Sequence, residues 1–448
     1  MSTCGNEPPS DGSCQPVQED SDELTVSENA IIPNRLCAPA PADMALTPGR
    51  LWWDEEWRFR LPVIVHAGAF ARIDRPVELD LDLDAEIRRS LPQGVDEGIQ
   101  ADSRSIRVVR VDNGGLNLGV VESQFDVAPV GRRASKGTVV WTLPHSVSPS
   151  ATCYYFLYFN TAGSPPRPVT PNGLRVSMSG TDADYWRVSA PPYGEYVFQR
   201  SAGNFCAFSP TNVGGESQTD WIRGDQSARR GIPLISSKRL DPIFQAGTVA
   251  RSTTEGRVSS KLLQSGPVKI TIESNWLIAG PRPSAWRVLY DIFPSTIRVT
   301  LLSGAKAGFV FAHAPTTPAT ARAFVSSSEY AGTRPLQRGG MVLPVPDGWS
   351  YQGFEGSTGK LYLTQPRPAT AAQPIPQFRS PNQWVVASGW KQGAMHDGMN
   401  QYPAVFFQGF VQDGRTDGVS HEKVLTFIDS IRQPLEVLVG PAERRASG

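Results

Sequence analysis

The chain has 448 residues, of which 40% are hydrophobic and 19% charged, a balance typical of a folded protein with a sizeable core. Its 43 basic residues equal its 43 acidic ones, so net charge gives no reason to expect nucleic acid or an anionic membrane surface as a partner. The length predicts two domains or three, and no apolar stretch is long enough to span a membrane.

Residues 1–50 are rich in Ser, Pro, Asp and Glu and follow no hydrophobic period. They are predicted to form a disordered or loosely attached tail. The first residues lack the basic and apolar regions of a signal peptide. The compartment stays open: cytoplasmic if the sequence is taken as written, extracellular if a signal precedes it.

Residues 51–162 contain six or seven short strand patterns. Trp57, Phe59 and Leu61 alternate with arginines, and later runs repeat this two-residue period. No helix is expected here beyond a turn at Asp84–Ser90. The pattern predicts a jelly-roll-like β-sandwich.

A row of acidic residues alternates with apolar ones in the second of these strands. Asp80, Asp82 and Asp84 would share one strand face. Such a row is either a solvated sheet face or a set of oxygen ligands for structural calcium. No other cofactor and no further metal site is predicted.

Several strands of this region occur in a recognisable order. They read W-x-x-E-W-R-F-R-x-P-V-x-V (53–65), RPVELDL (75–81), IRVV (106–109), VVWTLP (139–144) and YYFLYFN (154–160). This order resembles the DUF2341-type sandwich domain, which occurs beside carbohydrate-binding and carbohydrate-cleaving domains. The resemblance covers about a quarter of the chain and implies no catalytic residues.

Residues 163–173 are proline-rich and predict a linker. Residues 174–448 follow as a large, extended β-sandwich domain of many short strands. One short helix is expected near its end, with Ser420 as N-cap and Pro434 after the stop. The predicted fold class is therefore all-β, with two β-sandwich domains.

Three consecutive antiparallel strands are predicted in the middle of the chain, within 266–304, and are called the central meander below. A turn at Pro294-Ser295-Thr296 would place Asp291 opposite Arg298, as a cross-strand ion pair. A sheet face of this mixed kind is either the outside of a sandwich or the floor of a cleft. The run also resembles the mutarotase-like sheet of many polysaccharide lyases and glycoside hydrolases, although a fold alone does not establish chemistry.

The chain contains no G-x-S-x-G, H-E-x-x-H, P-loop or dinucleotide-binding motif after a strand. His396 is the candidate general base, because it lies in a glycine-containing loop beside Asp397 and close to Tyr402, a candidate acid. A polar surface loop is the alternative interpretation. His421 stands next to the predicted helix cap and is expected in solvent.

Other residues are candidates for contact with a sugar. Glycoside hydrolysis needs two carboxylates, and the candidates are Glu195, Glu355 and Asp397, with Asp291 discounted if it pairs with Arg298. Glu195 and Glu355 lie in aromatic surroundings that suit a sugar, although either could equally be at a hairpin tip.

Arg287, which the Asp291–Arg298 pair would leave without an ion-pair partner, or an arginine of the loop 223–239, is the candidate to stabilise an anionic intermediate. Tyr193 and Trp390 are the predicted aromatic contacts.

These features predict a carbohydrate-active protein with a polysaccharide or oligosaccharide as partner. The leading hypothesis is a polysaccharide lyase or glycoside hydrolase with its site on the second domain. The rival is a non-catalytic glycan-binding or structural sandwich protein. The sequence leaves open the substrate and the oligomeric state.

Overall fold

The structure is a computed structural model, and every structural statement below concerns the residues that it describes. These are 52–92, 98–128, 134–144, 146–161, 177–179, 185–200, 203–210, 234–235, 256–278, 284–303, 309–313, 323–327, 330–335, 342–344, 349–354, 359–366, 377–379, 384–388, 390–391, 394–395, 403–412 and 420–445. Within this part of the chain, neither helix has the length and apolar character needed to cross a membrane.

Two antiparallel sheets form the first sandwich. The larger contains, in spatial order, β28 (Glu436–Val439), β1 (Phe59–His66), β7 (Thr152–Thr161), β3 (Ala101–Val111) and β4 (Asn117–Val121), with β29 (Glu443–Arg444) also paired to β1. The smaller contains β2 (Pro76–Asp82), β6 (Lys136–Thr142) and β5 (Ser123–Val127).

The predicted alternation of the first strands is explained by the core between these sheets. Leu61 and Val63 on β1 are fully buried, as is Trp141 on β6. The larger sheet also includes a strand from late in the sequence, since Val63 lies opposite Val439 of β28. This sandwich is therefore built from two distant parts of the chain.

The acidic row in β2 does not form one strand face. The strand ends at Asp82, whose side chain accepts a hydrogen bond from the Ala85 amide at 3.0 Å and caps helix α1 (Leu83–Ser90). Asp84 is consequently on the helix and is buried. The expected turn is thus a capped helix of two turns. No group of three His, Cys, Asp or Glu suited to a metal ion occurs among the described residues.

The central meander is confirmed and lies within a nine-stranded antiparallel sheet. Its turn is closed by the Phe293 amide, which donates to the Thr296 carbonyl at 2.8 Å. In spatial order the sheet contains β13 (Gly256–Ser265), β14 (Ile270–Ile278), β15 (Ser284–Ile292), β16 (Ile297–Ser303), β27 (Ala404–Gln412), β22 (Gly359–Thr364), β21 (Trp349–Phe354), β18 (Ala323–Ser327) and β19 (Tyr330–Pro335).

A four-stranded sheet packs on one face of the nine-stranded sheet through aromatic rings. The Tyr290 ring lies 5.3 Å from the Phe198 ring and 5.4 Å from the Phe205 ring, both nearly perpendicular to it. We call these two sheets the second sandwich. The smaller sheet contains β11 (Asn204–Pro210), β10 (Gly194–Gln199), β9 (Tyr185–Ala190) and β8 (Ser177–Ser179).

Helix α2 (His421–Arg432) packs on the opposite face of the nine-stranded sheet. Phe427 points into that face, with its ring 5.4 Å from the Tyr362 ring. Ser420 caps the helix by accepting from the Lys423 amide, as predicted.

The described strands that remain form two further sheets. One has β12 (Leu234–Ile235), β17 (Phe309–His313), β24 (Trp384–Ser388), β23 (Gln377–Arg379) and β20 (Val342–Pro344), and the other has β25 (Trp390–Lys391) and β26 (Ala394–Met395). The all-β class is confirmed, with two helices in the described residues. The predicted linker, 163–173, lies outside the described residues, so the domain boundaries stay a prediction.

Candidate functional site

The mixed face of the central meander is covered by the first sandwich. Asp291 and Arg298 are cross-strand partners, as predicted, with 2.6 Å between Oδ2 and Nη2. The same guanidinium reaches across the interface to Glu78 on β2, where Nη2 donates to Oε1 at 2.9 Å. The Arg298 side chain is 15% exposed, so this is a largely buried ion network.

Lys269 extends the network along the same face. Its ammonium lies 2.6 Å from Asp126 Oδ2 and 3.4 Å from Glu78 Oε1. Burial would raise the pKa of Glu78, but the charges of Arg298 and Lys269 and their hydrogen bonds outweigh burial and hold that pKa well below its usual range.

The interface also has an apolar part, which lies beside the charges. Val140 of the first sandwich is buried against Val268 and Phe293 of the meander. The mixed face is therefore neither the outside of a sandwich nor the floor of a cleft. Its charges join the two sandwiches and are not available to a substrate.

Arg287 is not the unpartnered cation that the sequence predicted. It lies opposite Asn275 in the register, and its Nη2 is 2.6 Å from Glu273 Oε2. Its Nε donates to the same oxygen at 2.9 Å. The partner was missed because Glu273 is two residues along the neighbouring strand from the position directly opposite Arg287, and a long arginine side chain spans such a diagonal.

Tyr193 is a buried structural residue in this fold. Its side chain is 3% exposed, and its hydroxyl donates to the carboxylate of Asp74. Burial and the neighbouring Asp74 charge raise its pKa far above the usual range. These contacts do not fit the predicted role of an aromatic surface for a sugar.

Glu195 differs from its tyrosine neighbours, because it is exposed on β10. Its cross-strand partners are Ser189 and Ser209, so no carboxylate faces it across the strands. Trp390 lies on the short strand β25, opposite Met395. His396, Asp397, Tyr402 and Glu355 lie outside the described residues, and their predicted roles stay predictions.

The fold brings together a different histidine and tyrosine. His421, the first residue of α2, lies over β21, where its Nδ1 is 2.5 Å from the Tyr351 hydroxyl oxygen. Trp349, two residues before Tyr351, stacks on the tyrosine with 6.4 Å between ring centroids and 9° between planes. Tyr351 is 2% exposed, whereas His421 and Trp349 are half-buried.

This pair has the chemistry of an oriented histidine. Nδ1 is bound to the phenol, and no partner for Nε2 occurs among the described residues. When Nδ1 carries the ring proton and donates to the tyrosine oxygen, Nε2 has a free lone pair and can act as a base. In the other tautomer Nε2 carries the proton. The ring can therefore exchange a proton at Nε2 while Tyr351 holds its orientation.

A lysine shares this face of the sheet. Lys360 on β22 is two residues before Tyr362, which lies opposite Tyr351. Burial lowers the pKa of Lys360 to about 8. Lys360 and Tyr351 are thus two ionisable side chains of the sheet face on which α2 packs.

No pattern in the sequence indicates the His421–Tyr351 contact directly. The two residues are 70 positions apart. His421 was expected in solvent because it follows a helix cap, and a helix cap says nothing about what the helix packs against. The signal available in the sequence is the aromatic run that contains Trp349 and Tyr351 and leads to Glu355.

No protein-family model and no curated protein matches the chain. Among solved structures, the chain is similar to a protein in glycosyl hydrolase family 38 from Enterococcus faecalis, with a TM-score of 0.47 and 11% identity. The match covers 88% of this chain and 50% of that one, so this chain spans about half the length of the neighbour. A likeness of that degree establishes neither a shared activity nor a shared substrate. The resemblances to DUF2341-type and mutarotase-like domains stay predictions.

Proposed function

We propose that this protein is a carbohydrate-active enzyme of the polysaccharide lyase type, with His421 as the catalytic base and Tyr351 as its positioning residue. The observation that carries the proposal is the hydrogen bond between Tyr351 and His421 Nδ1, which leaves Nε2 available beside the half-buried ring of Trp349. An imidazole held in this way can take up a proton at Nε2 while its orientation stays fixed.

The proposed reaction is a β-elimination on a uronic acid unit. His421 Nε2 removes the proton from the carbon next to the carboxylate, and the electron pair of that C–H bond forms a carbon–carbon double bond. The bond to the leaving glycosidic oxygen breaks, and this oxygen takes up the proton that His421 Nε2 removed, which returns the imidazole to its neutral form. The products are an unsaturated uronate and a new chain end, so atoms and charge balance without water or an oxidant.

Tyr351 is too deeply buried to touch the substrate, so it acts through His421. Its hydroxyl oxygen accepts from Nδ1–H and stabilises the imidazolium that forms when Nε2 takes the proton. The Trp349 ring, half-buried next to Tyr351, supports the apolar face of a sugar ring. Hydrolysis has less support, because no carboxylate faces Glu195 across its described neighbouring strands.

The test is a screen of the full chain on uronic acid polysaccharides, with ultraviolet absorbance of the unsaturated product as the readout. We expect His421→Ala to abolish the signal and Tyr351→Phe to reduce kcat by about tenfold to a hundredfold with little change in KM. The control is His66→Ala, because His66 also holds a hydroxyl through Nδ1, that of Thr152 at 3.0 Å, but lies on the first sandwich. Its activity should equal that of the parent.

Each other outcome has a definite meaning. Lyase activity in the His421→Ala variant would contradict the proposal that His421 is the catalytic base. Reducing ends without new absorbance would identify a hydrolase, and binding without turnover would favour the non-catalytic glycan-binding alternative. Circular dichroism and the unfolding midpoint of each variant separate loss of chemistry from loss of fold.

A further inference from the structure

The first sandwich carries a cleft that the proposed reaction does not use. It has a volume of about 690 Å³ and lies between helix α1, residues 98–101 and residues 134–135. This volume is within the range typical of small-molecule sites. Polar and apolar groups both line it, and Arg88, Gln100 and Ile99 are among the lining residues.

Asp84 holds the walls of this cleft together. Its carboxylate is 3% exposed, and Oδ1 accepts from the Ala101 amide at 2.8 Å. Oδ2 accepts from the Ser135 hydroxyl at 2.6 Å. One carboxylate on α1 therefore fixes both opposing segments, so the cleft has a defined shape before any ligand enters.

Among the described residues the Arg88 side chain has no ion-pair partner, although Arg89 on the same helix has one. Arg89 is paired with Glu86, which is nearly buried. The Arg88 side chain is exposed, and its guanidinium makes no ion pair or hydrogen bond among the described residues. Asp84, four positions earlier on the helix, already accepts from Ala101 and Ser135. Within the part of the chain that the structure describes, the Arg88 guanidinium thus has several N–H donors and no acceptor, and Arg88 lines the cleft.

We infer that this cleft is a second, non-catalytic binding site for a carboxylated sugar unit. Arg88 would take the carboxylate through two parallel hydrogen bonds, which is the geometry that a guanidinium matches best. Gln100 can donate to and accept from ring hydroxyls, and Ile99 offers an apolar surface to the ring. This site shares its ligand class with the proposed reaction but does not depend on His421.

The experiment is calorimetric titration of the full chain carrying His421→Ala, so that no ligand is consumed. The probe is a saturated galacturonic acid trisaccharide at low ionic strength, with the neutral galactose trisaccharide beside it. We expect Arg88→Ala to weaken binding of the acidic probe by tenfold or more. The matched control, Arg89→Ala, removes the same charge from the same helix and should change the Kd less than twofold.

Three results would overturn the inference: no binding of the acidic trisaccharide, equal binding of the neutral one, or equal losses in the two arginine variants. Equal losses in the two arginine variants would mean that the overall charge of the helix attracts the acidic probe, whatever the position of the arginine. The two proposals fail separately. If binding depends on Arg88 but no polysaccharide is turned over, only the proposed reaction is contradicted. If a polysaccharide is turned over but Arg88→Ala does not affect binding, only the proposed binding role of the cleft is contradicted.

Discussion

Arg298 and Glu78 are 220 positions apart in the sequence, yet the guanidinium of one donates to the carboxylate of the other at 2.9 Å across the contact between the two sandwiches. Each charge would be costly to bury alone, and each is stabilised by the other. The interface therefore tolerates loss of the whole pair better than loss of one member. The charged face of the meander therefore serves to hold the two sandwiches together.

The first prediction concerns this pair. Glu78→Gln should lower the free energy of unfolding by about 3 kcal/mol, because it leaves Arg298 and Lys269 short of a buried counter-charge. In a double-mutant cycle with Arg298→Met, we expect a coupling energy above about 1.5 kcal/mol by chemical denaturation.

The matched control is the pair Arg287 and Glu273, which has similar geometry but an arginine side chain that is 39% exposed. Its cycle should give less than about 1 kcal/mol. Equal coupling in the two cycles would mean that burial does not govern the interface pair.

The second prediction concerns acid stability. The pKa of Glu78 is held below its ordinary value of 4.5 in the folded state. The contribution of ionised Glu78 to the free energy of unfolding is therefore complete above pH 4.5. It is lost as the pH falls below 4.5, because the unfolded chain then binds a proton at Glu78 that the folded chain does not. The difference in unfolding free energy between the parent and Glu78→Gln should shrink by at most about 1.4 kcal/mol per pH unit below 4.5. A difference that stays constant from pH 6 to pH 3 would contradict the shift.

The third prediction tests the position of Tyr193. Tyr193→Phe removes the donor to buried Asp74, and we expect a loss of about 1–3 kcal/mol in unfolding free energy. Tyr185→Phe, which removes the hydroxyl of a half-buried tyrosine on β9, should cost under about 0.5 kcal/mol. If Tyr193→Phe instead weakens glycan binding without lowering stability, the residue is a sugar contact, as the sequence first indicated.

The fourth prediction concerns Lys360, whose pKa is lowered by burial from 10.5 to about 8. Between these two pH values the unfolded chain holds a proton that the folded chain has released, so stability should rise with pH across this window. Lys360→Met removes the titrating group. The unfolding free energy of the parent should increase relative to Lys360→Met between pH 8 and pH 10, measured by urea denaturation. A flat difference would mean that the lysine is better solvated than its 5% exposure indicates.

Sequence reasoning succeeded where the signal is local. The alternation within the central meander, its turn at Pro294–Thr296 and the Ser420 cap are all set by residues within a few positions of each other. Strand period, turn chemistry and capping have short-range physical causes, so one sequence is enough to recognise them.

Reasoning from the sequence failed where contacts join distant segments. Glu78 looked like one more solvated acid on an alternating strand, because nothing local shows that a second sheet covers that face. His421 likewise depends on Tyr351, and their contact exists only because α2 returns over β21. Adjacency in the sequence favoured His396 and Tyr402 instead, and their roles stay predictions because both lie outside the described residues.

The pairing of Val63 with Val439 has a consequence for synthesis of the protein. The larger sheet of the first sandwich cannot be completed until a strand made more than 370 positions later has left the ribosome. Until then β1 has an open edge, which is a template for pairing with other chains. Closing it is a contact of very large sequence separation, and such contacts form slowly. The sandwich that is translated first is thus among the last parts of the described chain to be finished.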